Sequence, residues 1–156
     1  MAGTVKLKDL VDALDVQSGE YTYFVDRDSG EVELVSKDLL RDAEESGDDE
    51  EAPDLPAWQM REWELAKRIV STGRFQHLPS KFDVHEWAIM EEFSLAVGSD
   101  RIREDLLNAI HGAGAFRHFK YVLRQRRIEP AWFKFRAEAL RQIAIDWCEE
   151  NGIPWE

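Results

Sequence analysis

Two observations predict an α+β chain that is predominantly α. Residues 58–156 carry five helical apolar patterns in a row, joined by short connections. Residues 21–35 alternate in β fashion around a glycine turn. The expected architecture is a compact bundle of about five helices with a small N-terminal helix and a β-hairpin. The sequence expectation for its organisation is an acidic helix and hairpin over 1–41, an acidic linker over 42–57, and a Trp-rich helical domain over 58–156.

Each element has its own residues behind it. Leu7, Leu10, Val11 and Leu14 fall at helical spacing, a short helix that needs partners to persist. The run from Tyr21 to Asp26 is β-rich, Arg27-Asp28-Ser29-Gly30 is turn chemistry, and residues 31–35 alternate. A lone hairpin is marginal in water, so it must pack on something. Residues 42–54 are mostly acidic and hold no large apolar side chain, the pattern of a solvated linker. Trp58, Glu62, Leu65, Ala66, Ile69 and Val70 mark the first long helix, followed by a short extended piece over 74–79 closed by Pro79. Ser80 or Asp83 can cap the next helix, whose apolar face is Val84, Trp87, Met90, Phe93 and Val97. Ser99 and Asp100 start another, with Ile102, Leu106, Ala109 and Ile110 inward. A glycine-rich break at 111–114 precedes a basic helix over 115–126. Pro130 sits near the first turn of the last helix, with Trp132, Phe133, Leu140, Ile143, Ala144 and Trp147 as its stripe. The tryptophans at 63, 87, 132 and 147 read as core. Trp155 lies past the last helix stop, either folded back or exposed.

Charge divides the 156 residues unevenly. The chain has 20 Lys and Arg against 32 Asp and Glu, a net charge of −12. Residues 1–57 hold five basic and 17 acidic side chains; the remainder holds 15 of each. The total argues against generic polyanion binding, but it belongs to the first third of the chain. Residues 101–141 reverse the sign, with ten basic and four acidic side chains. At about 100° per residue, Arg117, Lys120, Arg124 and Arg127 share roughly one quarter of a helix face, while Phe116, Phe119 and Leu123 fall on another. A row of cations suits an extended or multiply charged anion. Gly112 and Gly114 precede this helix, and such a turn can present backbone N–H groups to a phosphate. The helix–turn–helix arrangement there loosely resembles a helix-hairpin-helix, although Phe116 and His118 depart from its small-residue packing.

Other chemistry is not advertised. The four histidines (77, 85, 111 and 118) lack metal-ligand spacing, so no metal or cofactor is expected. No nucleophile elbow, P-loop or zinc-protease motif occurs. No 18-residue apolar run and no signal-peptide pattern is present, so no membrane association is expected. The single cysteine, Cys148, permits a reducing compartment, with the cytoplasm the expectation.

Residues 105–120, with Gly112-Ala113-Gly114-Ala115-Phe116-Arg117-His118-Phe119-Lys120 as the most specific block, resemble a widespread bacterial family of uncharacterised proteins. Trp132-Phe133-Lys134-Phe135-Arg136, Ile143-Ala144-Ile145-Asp146-Trp147, Leu78-Pro79 and Met90-Glu91-Glu92-Phe93 resemble its other blocks, as does the tyrosine-rich strand followed by Ser29-Gly30-Glu31-Val32. Members often carry arginine between the two glycines, where Ala113 stands here. The resemblance implies a soluble, mostly helical bacterial protein and no established activity, cofactor or catalytic residue. The functional expectation is therefore a non-catalytic interaction or regulatory module. It binds an acidic or phosphorylated partner protein through Arg117, Lys120, Arg124 and Arg127, with Gly112 and Gly114 at the anion. The alternative is a nucleic-acid binder using the same stripe, masked by the acidic N-terminal region. A third reading is an enzyme acting on a small anion near residues 112–117. Oligomeric state is open.

Overall fold

A computed structural model describes residues 3–46, 54–80 and 84–156. In chain order the elements are α1 (Leu7–Asp15), β1 (Tyr21–Asp26), β2 (Val32–Ser36), α2 (Lys37–Glu45), α3 (Ala57–Ser71), β3 (Phe75–His77), α4 (Glu86–Ala96), α5 (Asp100–Ala109), α6 (Ala115–Gln125) and α7 (Glu129–Glu150). The protein is predominantly α with a small antiparallel sheet, as its sequence predicts. Contacts divide the chain into two compact units. The first comprises residues 1–80 and 144–156, the second residues 81–143.

In the first unit the sheet order is β2-β1-β3. The register pairs Tyr23 with Leu34 and Phe24 with Glu33 on one side, and Val25 with Gln76 on the other. Tyr23, Phe24, Val25 and Asp26 are all buried, because a middle strand is covered on both faces and need not alternate. Gly30 closes the hairpin with φ 76°, and a Cβ there would lie 2.4 Å from the Thr4 carbonyl oxygen. Only glycine fits that combination of conformation and contact. Phe24, Val35, Leu39, Ala43, Trp63 and Ala66 form the core between sheet, α2 and α3.

Helix α2 is absent from the sequence expectation. Ser36 Oγ accepts the Leu39 N–H at 3.2 Å, and Glu62 Oε1 accepts the Ser36 N–H at 2.6 Å. Leu39 and Ala43, one turn apart, are its buried positions. Residues 42–45, read as linker, are thus its last turn; residues 47–53 of that linker lie outside the described residues. Trp155 folds back: Val5 and Trp155 form a parallel bridge, with Val5 N–H donating to the Pro154 carbonyl at 2.9 Å and Glu156 N–H to the Val5 carbonyl at 3.0 Å.

The second unit is built on aromatic rings meeting edge to face. Phe119 and Trp132 have centroids 4.9 Å apart at 81°, Phe93 and Trp132 5.4 Å at 72°, and Phe93 and Phe135 5.4 Å at 65°. Such pairs contribute about 0.5–1.5 kcal/mol each beyond area burial. They fix α4, α6 and the first turns of α7 together. Arg136 on α7 makes a two-pronged ion pair with Glu86 at the start of α4, both largely covered. Helix α4 starts at Glu86 behind His85, whose φ of 54° is left-handed and whose side chain makes no capping bond. Of the two expected caps, Ser80 lies six residues before Glu86 and Asp83 lies outside the described residues. Helix α5 starts where expected, and Ser99 caps it by accepting the Ile102 N–H.

Candidate functional site

Helix α6 spans eleven residues, and its sequence separates two faces. Phe119 and Leu123 are buried, each about 1% exposed, against the aromatic core. That fixes the rotation of the helix and turns the opposite arc to solvent. Exposed on that arc are Arg117, His118, Lys120, Tyr121, Arg124 and Gln125, while Phe116, on the side of Phe119, is exposed at the start of the helix. No acidic residue occurs between Ala115 and Gln125. The face is therefore cationic with aromatic rings set among the charges.

The four predicted cations do not behave alike. Arg117 and Lys120 have no acidic side chain within ion-pair distance among the described residues. Arg124 Nε lies 3.4 Å from Glu129 Oε1, an exposed pair that holds it only loosely. Arg127 is not on the helix face. The helix stops at Gln125, and Arg127 takes φ 56° one residue past the cap. Arg127 N–H donates to the Arg124 carbonyl at 3.2 Å and Ile128 N–H to the Leu123 carbonyl at 3.0 Å. This is a Schellman ending with arginine where glycine is usual. The helical wheel extends a phase that the chain has already abandoned, so the stripe has three members on the helix. Arg126, not part of the expected stripe, pairs with Asp105 of α5.

The two glycines also differ. Gly114 is the N-cap of α6 with φ 73°, and the His118 N–H donates to its carbonyl at 3.0 Å. Gly112 has no positive φ, and a Cβ there would meet nothing within 4 Å. The turn needs one glycine, not two.

A neighbour of this turn went unrecognised in the sequence. Trp87, assigned to the core, is 42% exposed, whereas Trp63, Trp132 and Trp147 are buried as expected. Its Nε1–H donates to the Ile110 carbonyl at 2.9 Å, and its ring lies 6.0 Å from that of His111 at an angle of 34°. Phe133, also placed on an inward stripe, is exposed.

Elsewhere the chemistry is quiet. Burial pushes the Cys148 thiol up to about 11, with Glu149 adding to the rise, so the thiolate is scarce near neutrality. No group of His, Cys, Asp and Glu that could hold a metal occurs among the described residues. No helix among them is long and apolar enough to cross a membrane. A concavity of about 510 Å³ lies among Phe93, Val97, Ile128, Ala131 and Phe135, with Lys134 and Glu138 also in its lining. None of its lining comes from residues 110–117, where an enzyme of the third reading would keep its cleft.

Comparison with known proteins places the chain. It is 28% identical over 153 residues to a UPF0158 protein of Pseudomonas aeruginosa, covering 96% of this chain and 84% of that relative. No solved structure matches it. The pattern of the uncharacterised protein family UPF0158 matches residues 3–155, and the chain belongs to that family.

Proposed function

We propose that this protein is a non-catalytic binding module that takes an extended anion on the solvent face of α6. The observation that carries the reading is the arc of Arg117, Lys120 and Arg124 with no acidic residue on their helix. A solvated helix ordinarily intersperses acids at i±4, where each opposite pair contributes about 0.2–0.5 kcal/mol. Here none is present, and like charges stand together instead. An anionic partner relieves that repulsion. An acidic or phosphorylated protein segment and a nucleic-acid backbone share the required chemistry.

The composition makes the test sharp, because a chain of net charge −12 has no general reason to bind a polyanion. The full chain is expected to be retained on immobilised heparin at low salt and released as ionic strength rises and the Debye length shortens. Arg117→Glu with Lys120→Glu is expected to pass through unretained while keeping its helical circular dichroism. Equal elution of the wild type and this double variant would overturn the reading.

A further inference from the structure

The indole of Trp87 is held in place with 42% of its surface open to solvent. Its polar edge is occupied by the Ile110 carbonyl at 2.9 Å, so what it offers to solvent is ring surface. Exposed indole is costly in water, and a Trp N–H bonded to the backbone fixes the ring rather than burying it. His111, also exposed, sets its ring beside the indole at 6.0 Å and 34°. Together they form a shelf on the turn that leads into α6. Three residues later Gly114 caps that helix. The aromatic character continues along it: Tyr121, 61% exposed, shares the face of Arg117 and Arg124, and Phe116, 53% exposed, stands one turn before Lys120. Arg117 and Arg124 are seven residues apart, about 10 Å along the helix, enough to reach more than one phosphate of a strand.

The charge of an acidic peptide matches the cations, but nothing in that charge calls for the rings. A duplex keeps its bases stacked inside, away from an exposed indole. A single strand offers both features at once, phosphates for the cations and unstacked bases for the rings. We infer that Trp87 and His111 form a base-stacking subsite of a site for single-stranded nucleic acid, whose phosphates run along Arg117, Lys120 and Arg124. The inference rests on α6 being an anion-binding face and names what that face takes.

The test is fluorescence anisotropy on the full chain at low salt with three labelled probes. These are a twelve-residue oligothymidylate, an abasic deoxyribose-phosphate strand of the same length, and polyglutamate of similar charge. The thymidine strand is expected to bind more tightly than the abasic strand by roughly 5- to 150-fold, the range for one stacked base. Trp87→Leu is expected to weaken the thymidine strand by a similar factor and leave the abasic strand unchanged. Trp87→Phe, which keeps a ring, is expected to recover part of the loss, and it serves as the readout if the leucine variant fails to fold. Equal binding of the base-bearing and abasic strands overturns the stacking subsite while the anion-binding reading of α6 stands. So does binding of polyglutamate with no binding of the thymidine strand. Failure of all three probes overturns both.

Discussion

Glu33 lies on β2 opposite Phe24 in the register, partly covered, with Glu31 and Asp26 near it and Arg68 opposing them. Burial first, then the Glu31 charge, raises its carboxyl above the ordinary 4.5; Arg68 pulls the other way and only partly offsets this. The sign of the linkage follows. A carboxyl whose folded value is raised is harder to ionise in the folded chain, so its charge costs stability above that raised value. The cost fades as pH falls through it and is gone below the unfolded value near 4.5. Glu33→Gln is therefore expected to raise the urea midpoint at pH 7, with a gain that shrinks toward pH 4.5. A gain independent of pH across that range would show that the residue acts through packing. Nothing in the sequence betrays this group, because its neighbours are set by the hairpin register and by α3. Trp87 was illegible for a related reason. It sits about 120° around α4 from the buried Phe93, at the margin of the apolar stripe. Periodicity reports the phase of a side chain; whether a margin position is covered depends on what packs there.

Between elements, the break separating α5 from α6 decides how the cationic face is presented. The sequence shows two glycines and treats them as one feature, whereas the backbone distinguishes them. Gly114→Ala must hold a Cβ at φ 73°, a cost of about 1–2 kcal/mol. Gly112→Ala has open space and an ordinary φ, so its effect is expected to stay within about 0.5 kcal/mol. Thermal unfolding of the two variants checks this, and equal losses would mean that both positions constrain the turn. The hairpin, the five helices beyond residue 57 and the start of α5 were legible because each rests on a local pattern. Helix α2 was not. Its buried positions are only Leu39 and Ala43, too few to declare a period, and its last turn runs into an acidic stretch that reads as linker. It persists through the local Ser36 cap together with the Glu62 bond to the Ser36 N–H and the Trp63 core, and the last two depend on chain distant in sequence. Strand β3 likewise exists because β1 is there to pair with it.

Across the whole molecule, charge follows the compact units more closely than it follows chain order. The unit of residues 1–80 and 144–156 has nine basic and 23 acidic side chains; the unit of residues 81–143 has eleven and nine. The step near residue 57 that composition reveals falls inside the first unit. No local pattern could show that the last thirteen residues belong with the first eighty, since that grouping rests on Val5 meeting Trp155 and on Arg27 donating to the Asn151 carbonyl at 3.1 Å. Ile153, 4% exposed, ends α7 by donating its N–H to the Cys148 carbonyl at 2.8 Å. Ile153→Ala is expected to cost about 2–4 kcal/mol in urea denaturation, and a loss below 1 kcal/mol would show that this terminal segment adds little to its unit. The pairing of Val5 with Trp155 also sets an order of events at the ribosome. Chains emerge from the N-terminus onward, and domains fold as they are completed. Residues 81–143 are all available before residues 144–156 arrive, while Val5 and Leu7 must wait for backbone partners at 154–156 that are translated after all of them. During that wait residues 1–57, with five basic against 17 acidic side chains, carry a charge that repels the like segment of a neighbouring nascent chain.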